Sequence, residues 1–251
     1  MESFILEPNL PEKAIKKAFV SCLLPKEMSD NLKSLGVEPI PLKPSKSLST
    51  VLKTHPDIIT FNAKPGLWLF EKENENLFDF CECHSRGVFL NDSYPDDCVF
   101  NMVSAGKALI CGKRVWAYWE GLFTNNCFGL ADRYKNIILV SQGYAKCSTI
   151  VVDKLSFITS DNSIFISLKS RGFNTLMVTN EGVLLGGYSN GFIGGCAGKI
   201  SKDVLVFTGN IKAHKDYKNI KSFCGNVGVD IFSLSLSSDN LYDYGGILPV
   251  C

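Results

Sequence analysis

The chain has 251 residues, 45% hydrophobic and 20% charged, which is enough apolar mass for a large buried core. Lysine and arginine total 26 against 25 for aspartate and glutamate, so no electrostatic argument favours nucleic acid or an anionic membrane as a partner. No stretch approaches the ~18 consecutive apolar residues of a membrane span, and MESFILEPNLPEKAIKK lacks the basic-then-apolar order of a secretory signal; the expectation is a cytoplasmic protein.

In chain order, KAFVSC, LPKEMSDNLKSLG and VEPIPL read as strand, helix and strand. From His55, HPDIITFNAKPGLWLF gives two strands, ENENLFDFCECHSRG a helix-like stretch and VFLND a third strand. PDDCVFNMVSAGKALICG repeats the two-strand opening and continues into FTNNCFGLADRYK and NIILVSQ. From Cys147, CSTIVVDKLSFITSD, NSIFISLKSRG and FNTLMV give strand, strand, helix, strand, and from Cys196 CAGKISKDVLVFTG, DYKNIKSFCGNVG and VDIFSL repeat that order. The terminal GGILPV would supply the missing first strand of the N-terminal unit. Five ββαβ units closed by joining the two ends predict a single domain over 1–251, a five-bladed α/β propeller.

If the first strand of each unit lies innermost, the residues that begin those strands converge on one axial channel. They are His55 and Asp57, Asp97 and Asn101, Lys146 and Cys147, Gly195 and Cys196, and Gly245 and Gly246. His55 precedes a proline, which favours an extended backbone, and either points into the channel or caps the strand that follows. Asp243, flanked by tyrosines in YDYGG, falls at the channel mouth. A neighbouring Lys146 would lower the pKa of Cys147, although a free cysteine at a strand start is also an ordinary small hydrophobe. TNEGVLLGGYSNGFI is long and glycine-rich, as lids are. His214 reads as a surface loop residue beside Asp216, an N-cap candidate.

Ten cysteines set singly in apolar surroundings fit reduced thiols. Cys81, Cys83 and His84 form the only metal-like cluster, at the wrong spacing for a CxxC site, so no metal is expected. GGCAGK lacks the first glycine of a phosphate loop, where Ile193 stands, and its final Ser or Thr, where Ile200 stands; no cofactor is expected. Nothing in the pattern specifies an oligomer.

The five-unit order, with DCVF at Asp97–Phe100 and the terminal DYGGILPVC, resembles the pentein superfamily of guanidine-modifying enzymes, most closely the dimethylargininase and arginine deiminase folds in a bacterial branch. The resemblance implies a cysteine nucleophile, a histidine acid and base, and paired carboxylates that hold the guanidinium. Asp97 matches the first carboxylate, but Met102 and Val103 replace the acidic pair that should follow. Lys146 and Cys147 stand where the histidine should, and Leu248 and Pro249 where the nucleophile should, with Cys251 about two positions late. Guanidine hydrolysis is therefore not expected. Two classes follow. The first is a protein binding or modifying an amino-acid-like or guanidino small molecule, with Cys147 and His55 as reactive groups and Asp57, Asp97, Asn101, Lys146, Cys196 and Asp243 as binding residues. The second is a non-catalytic module acting through its surface, as does a ribosome anti-association factor with the same fold.

Overall fold

The computed structural model describes residues 4–48, 50–74, 82–83 and 89–251. The first unit comprises β1 (Lys17–Ser21), α1 (Lys26–Ser34) and β2 (Glu38–Leu42), with β2 parallel to β1. Met28 and Leu32, four residues apart and so on one helix face, are the buried residues of α1. β2 tolerates Pro39 and Pro41 because it is an edge strand, where a missing N–H costs no ladder bond.

The second unit opens with a short helix, α2 (Pro56–Ile59), and then forms β3 (Thr60–Lys64), β4 (Leu67–Phe70) and β5 (Glu82–Cys83). Here two expectations change. Glu82 and Cys83 are strand rather than helix, and the third strand is β5, not VFLND, because the fully buried β4 pairs its free edge there. The remainder of the helix-like stretch, with Cys81 and His84, lies outside the described residues.

The third unit contains β6 (Val103–Ala105), β7 (Ala108–Gly112), α3 (Lys113–Thr124), α4 (Leu130–Arg133) and β8 (Asn136–Val140). Its main helix is α3, and not FTNNCFGLADRYK, where left-handed Asn126 and Gly129 break the helix. Val115, Trp119 and Phe123 recur every four residues along the buried face of α3, and the Trp119 indole donates to the Val99 carbonyl at 2.7 Å.

The fourth unit is β9 (Thr149–Val151), β10 (Ser156–Thr159), α5 (Asn162–Lys169) and β11 (Asn174–Met177), with Asp161 capping α5 through the Ile164 N–H. The connection that follows is not a free lid. Its β12 (Val183–Leu184) is held in the fold by a ladder described below. The fifth unit is β13 (Ala197–Lys199), β14 (Val204–Phe207), α6 (Tyr217–Gly225) and β15 (Asp230–Ser233), followed by β16 (Leu241–Tyr242) and β17 (Leu248–Pro249). His214 is buried rather than on the surface. Its Nε2 faces the Thr179 carbonyl at 3.1 Å, and the Asp216 carboxylate accepts from the Thr179 N–H instead of capping α6.

Among the described residues the strands form five three-stranded mixed sheets and one two-stranded ladder, β12 with β16. In each three-stranded sheet the first strand is antiparallel to the middle one and the third is parallel to it. The first strand beside β1 is β17, with Phe19 opposite Leu248 and Ala18 opposite Pro249, so the two ends of the chain share one sheet as expected. Ladder bonding does not continue from one three-stranded sheet into the next, so these are separate sheets rather than one closed barrel. Phe19 packs edge-on against Trp68 at 4.8 Å and Phe70 at 5.4 Å, which places the closing sheet in the aromatic core.

Candidate functional site

The predicted site residues do not begin the inner strands; most lie in helical turns just before them. Asp57 is in α2, Asp97 in a 3₁₀ turn over Asp96–Cys98, and Cys196 ends a 3₁₀ turn over Ile193–Cys196. Lys146 and Cys147 lie in the turn before β9. The reason is local. Pro56 at the first helical position fixes φ for a helix start, and pre-proline His55 stays extended at φ −84°, ψ 116°.

The His55 side chain turns to Asp243 and does not cap the helix that follows it. Although it occupies the N-cap position of α2, its side chain makes no capping bond, and its Nδ1 stands 3.5 Å from Asp243 Oδ1. Asp243 Oδ2 accepts from the Phe192 N–H at 2.8 Å and Oδ1 from the Gly245 N–H at 3.0 Å. A Cβ on Gly195 would lie 1.9 Å from Asp243 Oδ1, so only glycine leaves room for this carboxylate. Gly245 has φ +75°, and a Cβ there would meet the His55 backbone at 2.5 Å.

Asn101 organises the second half of the cluster. Its Oδ1 accepts from the backbone N–H groups of Lys146 at 2.8 Å and Cys147 at 3.1 Å, and its Nδ2 donates to the Asp57 carbonyl at 2.7 Å and to Cys147 Sγ at 3.0 Å. Asp57 is 1% exposed, and neither carboxylate oxygen meets a nitrogen or oxygen donor among the described residues. It faces a cavity of about 20 Å³, room for one water-sized group, lined also by Asn9, Asn62, Trp68, Phe100 and Lys146. Asn62 Oδ1 is likewise buried without a partner among the described residues.

The electrostatics run against a resting thiolate. Burial pushes Cys147 well above the usual thiol range, and the Asp57 and Asp243 carboxylates push it further, while the Asn101 hydrogen bond opposes them. Two carboxylates, and not Lys146, dominate the surroundings of the sulfur. Cys196 is raised for the same reasons, burial first and then Asp243 and Asp57. Asp243 is itself raised by burial and by Asp57, against the opposing effects of His55 and its two N–H donors.

Asp97 is not brought into this cluster. One oxygen takes the hydroxyl of Tyr144, whose ring stacks on Phe192 at 6.1 Å. His55, Asp57, Asn101, Cys147, Cys196 and Asp243 converge, and Lys146 lines the cavity beside Asp57. Asn9, Asn62, Tyr144 and Phe192 were missed. Asn62 carried a signal: with Thr60 it is polar at alternate positions of an apolar strand, hence on one face. Asn9 carried none, since only the fold brings the N-terminal segment to this cavity. No group of three or more potential metal-ligating His, Cys, Asp or Glu side chains occurs among the described residues.

Mixed three-stranded sheets, with buried polar residues gathered in the turns just before their first strands, are a fold this chain shares with solved amidinotransferase, agmatine deiminase and dimethylarginine dimethylaminohydrolase structures. The chain aligns with the inosamine-phosphate amidinotransferase StrB1 from Streptomyces griseus at TM-score 0.58 and 10% identity, covering 100% of this chain and 97% of that one. It aligns with the agmatine deiminase of C. jejuni at TM-score 0.55 and 13% identity, covering 91% and 90%. A cysteine-to-serine variant of the Pseudomonas aeruginosa dimethylarginine dimethylaminohydrolase, complexed with citrulline, gives TM-score 0.53 and 8% identity over 91% and 96%. At these identities the likeness is one of fold. The chain belongs to the family described as "Family of unknown function (DUF6873)", whose model matches residues 19–248. A comparison with curated proteins finds no match.

Proposed function

We propose that the chain is a single pentein-type domain, its five sheets set as blades about an axis, and that the axial cluster binds a cationic amino-acid-like or guanidino small molecule. The observation that carries this reading is Asp57, a buried carboxyl that faces a cavity and meets no nitrogen or oxygen donor among the described residues. A buried charge without a partner is costly, and a ligand carrying several N–H donors and a positive charge offsets that cost. The Trp68 and Phe100 walls suit such a head group, since aromatic faces attract cations. The cavity holds one small group as it stands, so admission of a larger head requires its lining to shift.

Cys147 and His55 are the reactive groups of this reading. Burial first, and then two carboxylate charges, keep the thiol protonated; a bound cation opposes the carboxylate part and so favours the thiolate. The standard guanidine-hydrolase set is not retained, because Met102 and Leu248 are buried apolar residues where that chemistry needs polar ones. Cytoplasmic residence is supported by the eight cysteines with described side chains, all free thiols. No helix among the described residues is long and apolar enough to cross a membrane.

Calorimetric titration of the full chain with arginine, agmatine and glutamate tests the reading. The two guanidino cations should bind and glutamate should not, and the isosteric Asp57→Asn should lose that binding while remaining folded. Equal binding of glutamate, or cation binding untouched by Asp57→Asn, would sink it.

A further inference from the structure

Lys146 lines the cavity beside Asp57 and is 7% exposed. Its backbone N–H goes to Asn101, but its ammonium makes no hydrogen bond or ion pair among the described residues. Lys199, in β13 and 3% exposed, shows what burial of a lysine ordinarily requires: its ammonium donates to the carbonyls of Val152 and Lys202. Asp57 lines the same cavity as Lys146, yet no direct ion pair joins the two.

The lining therefore carries three buried acceptor atoms without a donor among the described residues, Asp57 Oδ1 and Oδ2 and Asn62 Oδ1, and one ammonium without an acceptor. Thr60 and Asn9, also in the lining, are already engaged. Thr60 Oγ1 donates to the Leu69 carbonyl at 2.8 Å, and Asn9 Nδ2 to the Ser104 carbonyl at 3.0 Å. The volume, about 20 Å³, is that of one water-sized group.

Charge decides what kind of group that is. A small anion would satisfy Lys146 but face the Asp57 carboxylate, and a small cation would satisfy Asp57 but face the Lys146 ammonium. Either sets like charges together where little solvent screens them. A neutral molecule with two donors and two lone pairs avoids both conflicts. Water is such a molecule: it donates to Asp57 and to Asn62 Oδ1 and accepts from Lys146, and about three hydrogen bonds are usual for an internal water.

We infer that one internal water sits between Asp57, Asn62 and Lys146 and joins the two charged side chains as a water-bridged ion pair. Asp57 belongs to α2 in the second unit, and Lys146 to the turn that carries Cys147 into the fourth, so the bridge fastens the acidic and thiol halves of the cluster together. It belongs to the unliganded chain and does not depend on which ligand the cluster takes.

Crystals of the full chain refolded from urea in bromide or in rubidium salts identify the occupant, because refolding opens the cavity to either ion. One ordered peak should lie about 2.7–3.2 Å from Lys146 Nζ, an Asp57 oxygen and Asn62 Oδ1, without anomalous signal from bromide or rubidium. Anomalous signal there from either ion would make the occupant charged and overturn the inference. So would direct contact between Lys146 and Asp57 with no peak between them. A double-mutant cycle reads the same bridge in solution. Asp57→Asn and Lys146→Met should each lower the urea midpoint, since each leaves one buried charge without its counterpart, and the double variant should lie no lower than the worse single one. Losses that simply add in the double variant would overturn the bridge.

Discussion

The side chain of Asn101 and residue Cys147 are joined twice, by an N–H donated from the Cys147 backbone at 3.1 Å and by the amide that Asn101 directs to the sulfur at 3.0 Å. One residue therefore fixes both the position of the thiol and part of its electrostatics. Asn101→Ala leaves two backbone N–H groups and the Asp57 carbonyl without this partner, a loss of about 3 kcal/mol in all. The variant should melt several degrees lower, and an unchanged melting temperature would show that water replaces the amide at no cost.

Thiol labelling separates a structural from a primed cysteine. At pH 8 in the native protein, iodoacetamide should modify exposed Cys22 and spare Cys147, which burial and two carboxylates hold protonated. Asp57→Asn removes one of those charges and should increase Cys147 labelling several-fold. Mass spectrometry of the digested protein reads both, and labelling of Cys147 at the rate of Cys22 in the unmutated protein would contradict the electrostatics.

Glu71 provides a pH dependence of its own, outside the Asp57, Cys147 and Asp243 cluster. Burial, together with a hydrogen bond to Glu73, raises it from 4.5 to about 7, while that same contact lowers Glu73. The pair thus holds one proton between two carboxyls, with Ser45 and Ser47 donating to Glu71 at 3.1 and 3.0 Å. For a carboxyl raised on folding, the native state binds more protons than the unfolded state, so its contribution to stability is greatest below pH 4.5 and is lost as pH rises to about 7. Lowered Glu73 acts in the opposite sense at the acid end, losing its contribution as pH falls through its own range. Urea midpoints measured from pH 5 to 8 should decline in the unmutated protein and stay flatter in Glu71→Gln. A parallel decline in both would assign it elsewhere.

The last strand should be indispensable. Removing residues 246–251 takes away β17, its pairing with Phe19 and Ala18, and the carbonyls of Val250 and Cys251 that accept from Ile5, Lys16 and Lys17. It also uncovers the Phe19, Trp68 and Phe70 cluster. The truncated chain should lose its cooperative thermal transition, and circular dichroism at the unmutated melting temperature would reveal the opposite.

Most strands were legible because each unit alternates or concentrates apolar residues over a short run, as in β7, β10 and β14. α3 was not, since KRVWAYWEGLFT mixes aromatic and helix-forming residues and its period emerges only once Trp119 has a buried partner. β5 was decided by the open edge of β4, a partner distant in sequence. In the site, His55, Asp57, Asn101, Cys147 and Cys196 followed from their shared place in the repeat, and Asp243 from its place beside the tyrosines of YDYGG. The protonation of Cys147 did not, because adjacency to Lys146 along a turn says nothing of where the two side chains point, whereas Asp57 and Asp243 arrive from other units.

The pairing of β1 with β17 also orders the birth of the molecule. The two strands come from opposite ends of the described chain, yet Phe19 needs Leu248 across from it before its sheet is complete. During synthesis β1 and β2 are made well before β17, so the edge of β1 that takes Leu248 has no partner until β17 follows. The two ends of the chain meet late, and the slow, long-range contact comes last. Until then the unpaired edge of β1 and the aromatic face behind it are the part of the nascent chain most open to chaperones, or to the same strand of another copy.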